Sequence, residues 1–200
     1  MPKPHPHAGG AASDWIRRWS HLVPAGGQVL DLACGHGRHV RWFAARGHPV
    51  VGVDKAADAL QSLADLAVGG QVHTVQADVE DGPWPLMDQG LPRRFDAVVV
   101  TNYLWRALLP TIVQSLAPGG VLLYETFAEG HAAVGKPSRP DFLLQAGELL
   151  RVCQGLRIVA YEDGFCDAPA RFIQRIAAVQ AVGGSGPDEP ADASPARYHL

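Results

Sequence analysis

Residues 28–54 read QVLDLACGHGRHVRWFAARGHPVVGVD. The apolar run Val29-Leu30-Asp31-Leu32-Ala33 predicts a buried strand that ends in a turn carrying Gly35 and Gly37. Val40, Trp42, Phe43 and Ala44 give the next segment a helical face to pack on a sheet, and Val50-Val51-Gly52-Val53 predicts a second strand stopped by Asp54. Strand, glycine turn, helix and strand in this order define an α/β unit shaped for a nucleotide-like ligand. The glycines let the chain bend sharply and let a ligand approach the N–H groups at the helix start, where the backbone dipole favours an anion.

The chemistry of the turn narrows the ligand. A dinucleotide fingerprint requires a third glycine for the diphosphate and for helix packing, and Val40 stands at that position. Asp31, four residues before Gly35, is not asked for by a dinucleotide turn. It suits the ammonium of S-adenosylmethionine (SAM), which carries a carboxylate and an ammonium and has no phosphate. Asp54, 19 residues after Gly35, ends its strand where a carboxylate accepts both ribose hydroxyls, and so fits either cofactor.

The segment Asp31-Leu32-Ala33-Cys34-Gly35-His36-Gly37, together with Asp54, resembles the class I SAM-dependent methyltransferases, and nearly the whole chain follows their order of elements. Gln76-Ala77-Asp78-Val79 reads as a third strand ending in an acid that in that family lies by the adenine amine. Phe95 to Val100 reads as the central fourth strand, and Leu116 to Leu123 as the turn into the fifth. The resemblance implies a three-layer Rossmann-like fold with a mostly parallel seven-stranded sheet and an antiparallel edge strand. It implies SAM as cofactor, with Asp31, Ala33, Cys34, Gly35, Gly37, Asp54, Lys55, Asp78, Val79 and Thr101 as the binding residues. Tyr124-Glu125-Thr126-Phe127 and Pro140-Asp141-Phe142-Leu143-Leu144 are similar to the bacterial small-molecule group that includes tellurite-resistance methyltransferases, although chalcogen chemistry is not carried over with them.

Periodicity and breakers predict the remaining elements. Ser13 is placed to cap a short helix with Trp15, Ile16 and Trp19 on one face, read as core packing in preference to a lid. Helices are expected over 58–67, 104–116 (its main part starting at Pro110) and 141–153. Strands are expected over 72–76, 120–127, 156–162 and 171–182, the last two antiparallel. Residues 80–85 form a turn-rich loop. One domain over 13–182 is expected between a disordered leader, 1–12, and a disordered tail, 183–200, both rich in Gly and Pro.

Composition bounds the class. Two hundred residues with 47% hydrophobic side chains supply one domain with a sizeable core. No apolar run is long enough to span a bilayer and no secretory h-region is present, so a cytoplasmic location is expected. Three cysteines without metal-ligand spacing argue against a disulfide framework, and Cys34 reads as a small residue within the turn. Nine histidines include His36 and His39, but no ligand set forms around them and no metal is expected. Residues 1–50 carry six Lys or Arg against two acids, while the rest carries eleven against eighteen. Arg17, Arg18, Arg38, Arg41 and Arg46 therefore offer a basic face for RNA, but the net charge of −3 favours a small-molecule acceptor.

A sulfonium already activates its methyl group, so such an enzyme mainly aligns a nucleophile and excludes water, and no universal catalytic residue is required. Segments after the fourth and fifth strands lie nearest the ligand in open α/β sheets, which makes Tyr103, Arg106 and Glu125 the candidates, with Trp105 as a pocket wall. His131, Lys136 and Arg139, in the long connection 128–140, are candidate contacts for an anionic acceptor. The reading is methyl transfer from SAM to a small molecule. The alternatives are an RNA methyltransferase, an NAD-dependent oxidoreductase and a catalytically silent SAM-binding protein.

Overall fold

The computed structural model describes residues 10–182 and 197–200; residues 1–9 and 183–196, which make up most of the expected leader and tail, lie outside the described residues. In chain order the elements are α1 (Asp14–Trp19), β1 (Val29–Leu32), α2 (Arg38–Ala44), β2 (Val50–Asp54), α3 (Ala57–Gln61), α4 (Ala64–Ala67) and β3 (Val72–Gln76). A small ribbon follows, β4 (Met87–Asp88) with β5 (Leu91–Pro92), and then β6 (Phe95–Thr101), α5 (Leu109–Gln114), β7 (Leu116–Phe127), α6 (Glu148–Val152), β8 (Arg157–Asp167) and β9 (Ala170–Val179).

Seven strands form one sheet in the order β3-β2-β1-β6-β7-β9-β8. β1 pairs in parallel with β2 on one side and β6 on the other, so the chain reverses its direction of winding at β1. The sheet is mostly parallel, as expected, but the antiparallel strand is β9, one in from the edge, flanked by β7 and the edge strand β8. The short connection between β8 and β9 allows only a hairpin, which puts β9 antiparallel to both neighbours.

The side-chain period of two distributes the strand residues between two cores. Leu30, Leu32, Val98, Val100, Leu122 and Tyr124 face one side with α5 and α6. Val29, Ala97, Val99, Val121 and Leu123 face the other with α1 and α2. Trp15, Ile16 and Trp19 are buried there, each contributing about 2 kcal/mol by area removed from water. The Trp15 Nε1–H also donates to the Ile176 carbonyl at 3.2 Å. α1 is thus a packed element, as its apolar stripe predicts.

Several helices are shorter than periodicity predicts. The segment expected as one helix over 58–67 is two, α3 and α4, separated at Ser62-Leu63, where Leu63 buries its side chain under Gly37. The expected helix 104–116 starts as a 3-10 turn, Arg106–Leu108, and its last residue, Leu116, belongs to β7. The expected helix 141–153 is a 3-10 turn, Pro140–Phe142, followed by α6 alone. Tyr198, in the region expected as tail, packs beside the α1 core, and the His199 carbonyl lies 3.1 Å from the His21 Nε2.

Candidate functional site

The carboxyl ends of β1, β2 and β6 meet at the point where the winding reverses, which is where an open α/β sheet leaves a crevice. Leaving β1, the backbone takes left-handed conformations at Ala33 (φ 53°), Gly35 (φ 52°) and Gly37 (φ 70°). At Gly37 a Cβ would also run into the Leu63 side chain, so this position needs glycine on both counts. Ala33 holds a left-handed conformation without that freedom, a local strain of about 1 kcal/mol of the kind stored at functional sites.

The turn is fastened to β2. The Asp54 Oδ2 accepts from the Gly35 N–H at 2.7 Å, its Oδ1 accepts from the Ala56 N–H at 2.9 Å, and the Cys34 N–H donates to the Val53 carbonyl at 3.0 Å. Lys55 pairs with Asp78 at 3.6 Å across the top of β2 and β3.

Two cavities flank this turn. One, of about 220 Å³, lies between Asp54, Lys55, Asp78, Val79, Glu80 and Tyr103. The other, of about 180 Å³, lies against Cys34, Gly35, Gly37, Arg38, Thr101 and Asn102, and Ala33 lines both. Every residue expected to bind the cofactor lines one of these spaces except Asp31, which is buried beneath them at 1% exposure. Neither Asp31 carboxylate oxygen has a hydrogen-bond partner among the described residues. Burial pushes its pKa up to about 7, against the attraction of Arg38.

His39, in the first turn of α2, and Cys34, in the glycine turn, are fixed by their surroundings. His39 Nε2 accepts from the Ser13 N–H at 3.2 Å, which leaves the proton on Nδ1, 3.4 Å from Thr101 Oγ1. Burial, with Arg38 nearby, lowers its pKa to about 3 and keeps the ring neutral. Cys34 lies over Gly52, where a side chain would strike its sulfur, and burial beside Asp31 and Asp54 raises its thiol pKa well above the usual range. No cluster of metal-ligating side chains exists among the described residues.

The three candidate catalytic residues separate. Tyr103 sits in the cavity with Asp54 and Asp78, its hydroxyl without a hydrogen-bond partner among the described residues and its pKa raised by burial and by Glu80. Arg106 is committed elsewhere: its guanidinium donates to Glu148 at 2.8 and 3.0 Å and to the Asp141 and Leu143 carbonyls at 2.8 Å, clamping the 140–148 connection. Glu125 is fully buried, 3.4 Å from Arg175, and serves as counter-charge to Arg38 rather than lining either cavity. Arg38 and Asn102 were not among the expected binding residues. Their signals were available in Arg38's place directly after the glycine turn and Asn102's place directly after the fourth strand, where the structure gives it φ 54°.

Two of the five arginines of the expected basic face are ion-paired and two lie over aromatic rings. Arg17 pairs with Asp14 and Arg41 with Asp65, while Arg18 and Arg46 lie over the Trp19 and Trp42 rings.

Comparison with known proteins agrees with this architecture. Residues 29–120 match the model of a methyltransferase domain. Malonyl-[acyl-carrier protein] O-methyltransferase of Serratia marcescens is 34% identical over 111 residues, covering 52% of this chain and 40% of that protein. The chain therefore spans less than half the length of that curated relative. TehB from Haemophilus influenzae superposes with a TM-score of 0.64 at 19% identity, covering 84% of this chain and 61% of that one. The glycopeptide N-methyltransferase MtfA, in complex with SAM, superposes at 0.57 with 22% identity, covering 90% of this chain and 100% of its own. Residues 29–120 are thus similar to a methyltransferase domain, and the superpositions show that the chain shares the fold of these proteins.

Proposed function

We propose that the chain is a SAM-dependent methyltransferase that acts on a small molecule. The observation that carries this reading is the pair of cavities joined at Ala33, with the Asp54 carboxylate in one and an unpartnered buried acid, Asp31, beneath the other. The residues present fit SAM. Asp54 would accept the ribose hydroxyls, Asp78 and Val79 would flank the adenine, Asp31 would accept the ammonium and Arg38 would pair with the carboxylate. When bound, SAM supplies a methyl group made electrophilic by its sulfonium, and the departing thioether keeps the electron pair of the broken bond.

The chain's own residues bind, orient and exclude water. The turn holds its N–H groups in fixed directions, and the Asp54 hydrogen bonds keep the turn on β2. The relative from Serratia marcescens and the glycopeptide enzyme are both named as methyltransferases, which supports the reaction class. No helix among the described residues is long and apolar enough to cross a membrane, and a cytoplasmic location belongs to the proposal.

The test is calorimetric titration with SAM, S-adenosylhomocysteine and NAD, followed by transfer of labelled methyl to small thiols, amines, carboxylates and RNA. Binding of SAM with transfer to a small molecule supports the proposal. Preference for NAD overturns it, transfer only to RNA moves the acceptor class, and binding without any transfer leaves a silent SAM-binding protein.

A further inference from the structure

A third cavity, of about 460 Å³, opens beside the cleft, lined by Arg38, Asn102, Phe127, His131, Lys136 and Arg171 among others. Arg38 and Asn102 also line the space beside the glycine turn, so the two spaces meet at these side chains. Ala12, Ser13 and Asp14 close one wall, and the Ala168–Arg171 end of the β8–β9 hairpin closes the opposite one.

Its charge is one-sided. Arg38, Lys136 and Arg171 form no ion pair among the described residues, and the one carboxylate on the wall, Asp14, is turned to solvent and paired with Arg17. Arg38 has buried counter-charges in Glu125 and Asp31, whereas Arg171 repels it. The Arg171 Nε is buried and has no acceptor among the described residues. Lys136 is held at the rim because the Nε2–H of buried His131 donates to its carbonyl at 3.1 Å and that imidazole stacks on Phe127 at 4.3 Å. The rest of the lining includes Phe127, Val134, Ala168 and Pro169. A cavity of this size, with these apolar side chains beside its charged ones, has room for an organic body larger than a bare inorganic oxyanion.

We propose that this cavity is the acceptor site and that Arg171 and Lys136 select a small organic anion, with Arg38 left to the donor's carboxylate. The anion is a carboxylate or a phosphate ester, the two groups that a guanidinium fork matches. This rests on the first two cavities being the SAM site. The nucleophilic atom of the acceptor then lies toward Arg38 and Asn102, at the junction, and its charged end toward the hairpin.

The test titrates the S-adenosylhomocysteine-saturated protein with 4-hydroxybenzoate, octanoate, phenyl phosphate and the uncharged 4-hydroxybenzamide. At least one anion should bind about tenfold more tightly than the amide, and the tighter of carboxylate and phosphate names the class. R171Q and K136Q should each remove most of that preference, R171K should restore part of it, and the affinity for S-adenosylhomocysteine should stay as in the wild type. Equal binding of anions and amide, or an unchanged preference in both Gln variants, overturns the proposal. Lys136 lies on an exposed loop, so K136Q keeps the test decisive if R171Q fails to fold. A wild-type protein that binds no S-adenosylhomocysteine brings down the donor-site reading instead, a separate outcome read in the same titration.

Discussion

The Asp54 carboxylate, at the end of β2, accepts the Gly35 N–H at 2.7 Å, so one acid both fastens the glycine turn and faces the cavity where a ribose would lie. Asp54→Asn keeps one acceptor and loses the charge. We expect at least a tenfold loss of SAM affinity, with stability lowered by about 1–2 kcal/mol from the weakened bonds to Gly35 and Ala56. Calorimetry and urea unfolding check the two effects separately, and unchanged affinity removes the ribose assignment.

If Asp31 receives the SAM ammonium as proposed, ligand binding should release a proton. Its pKa of about 7, raised by burial, leaves it largely protonated at pH 6, and an ammonium placed against it favours the carboxylate. SAM affinity should therefore be flat above pH 7 and fall as the pH drops below it, by up to about tenfold per unit. Calorimetry at pH 6 in buffers of different ionisation enthalpy should show close to one proton released, and Asp31→Asn should abolish it.

His39 sets the response to acid. The folded ring stays neutral down to about pH 3 while the unfolded one titrates at 6.5, so its stabilisation is complete above pH 6.5 and lost as pH falls through that window. The loss approaches about 1.4 kcal/mol per pH unit. Asp31 runs the other way between pH 7 and 3.8, because its raised pKa favours the protonated folded state as pH falls. The two slopes offset in the wild type. His39→Gln should thus become more stable, relative to the wild type, as the pH drops from 6.5 to 4, which denaturant midpoints at several pH values measure.

Arg106 is a fastener between segments. Arg106→Ala leaves the half-buried Glu148 without its guanidinium and frees the Asp141 and Leu143 carbonyls, at a cost of about 1–3 kcal/mol. Thermal unfolding should show the loss, while SAM affinity should stay within about twofold of wild type, because Arg106 lines neither of the two cavities beside the glycine turn.

The grouping of residues around the glycine turn was legible in the sequence because it is local. One strand, one turn and one helix carry Ala33, Cys34, Gly35 and Gly37, and Asp54 follows at the end of the next strand, so spacing alone brings them together. The alternation of Val98, Val99 and Val100 likewise announces a central strand with both faces covered. The third cavity was legible only in part: the long connection 128–140 pointed to His131 and Lys136, which line it, and to Arg139, which pairs with Asp141 instead, whereas Arg38, Asn102 and Arg171 are far apart in the chain and meet only through the sheet order and the β8–β9 hairpin. Arg106 misled for a related reason: position after a strand places a residue near the crevice, but Glu148, 42 residues on, decides where its side chain goes. Helix lengths failed where tertiary packing overrode periodicity, as at Leu63 beneath Gly37.

The hairpin that carries Arg171 and the connection that carries Lys136 both lie beyond residue 120, where the methyltransferase-domain match ends. On the proposed reading, donor and acceptor recognition are thereby written on separate parts of the chain. Exchanging 128–140 and the hairpin tip would then change which molecule is accepted while the cavities beside the glycine turn stay in place.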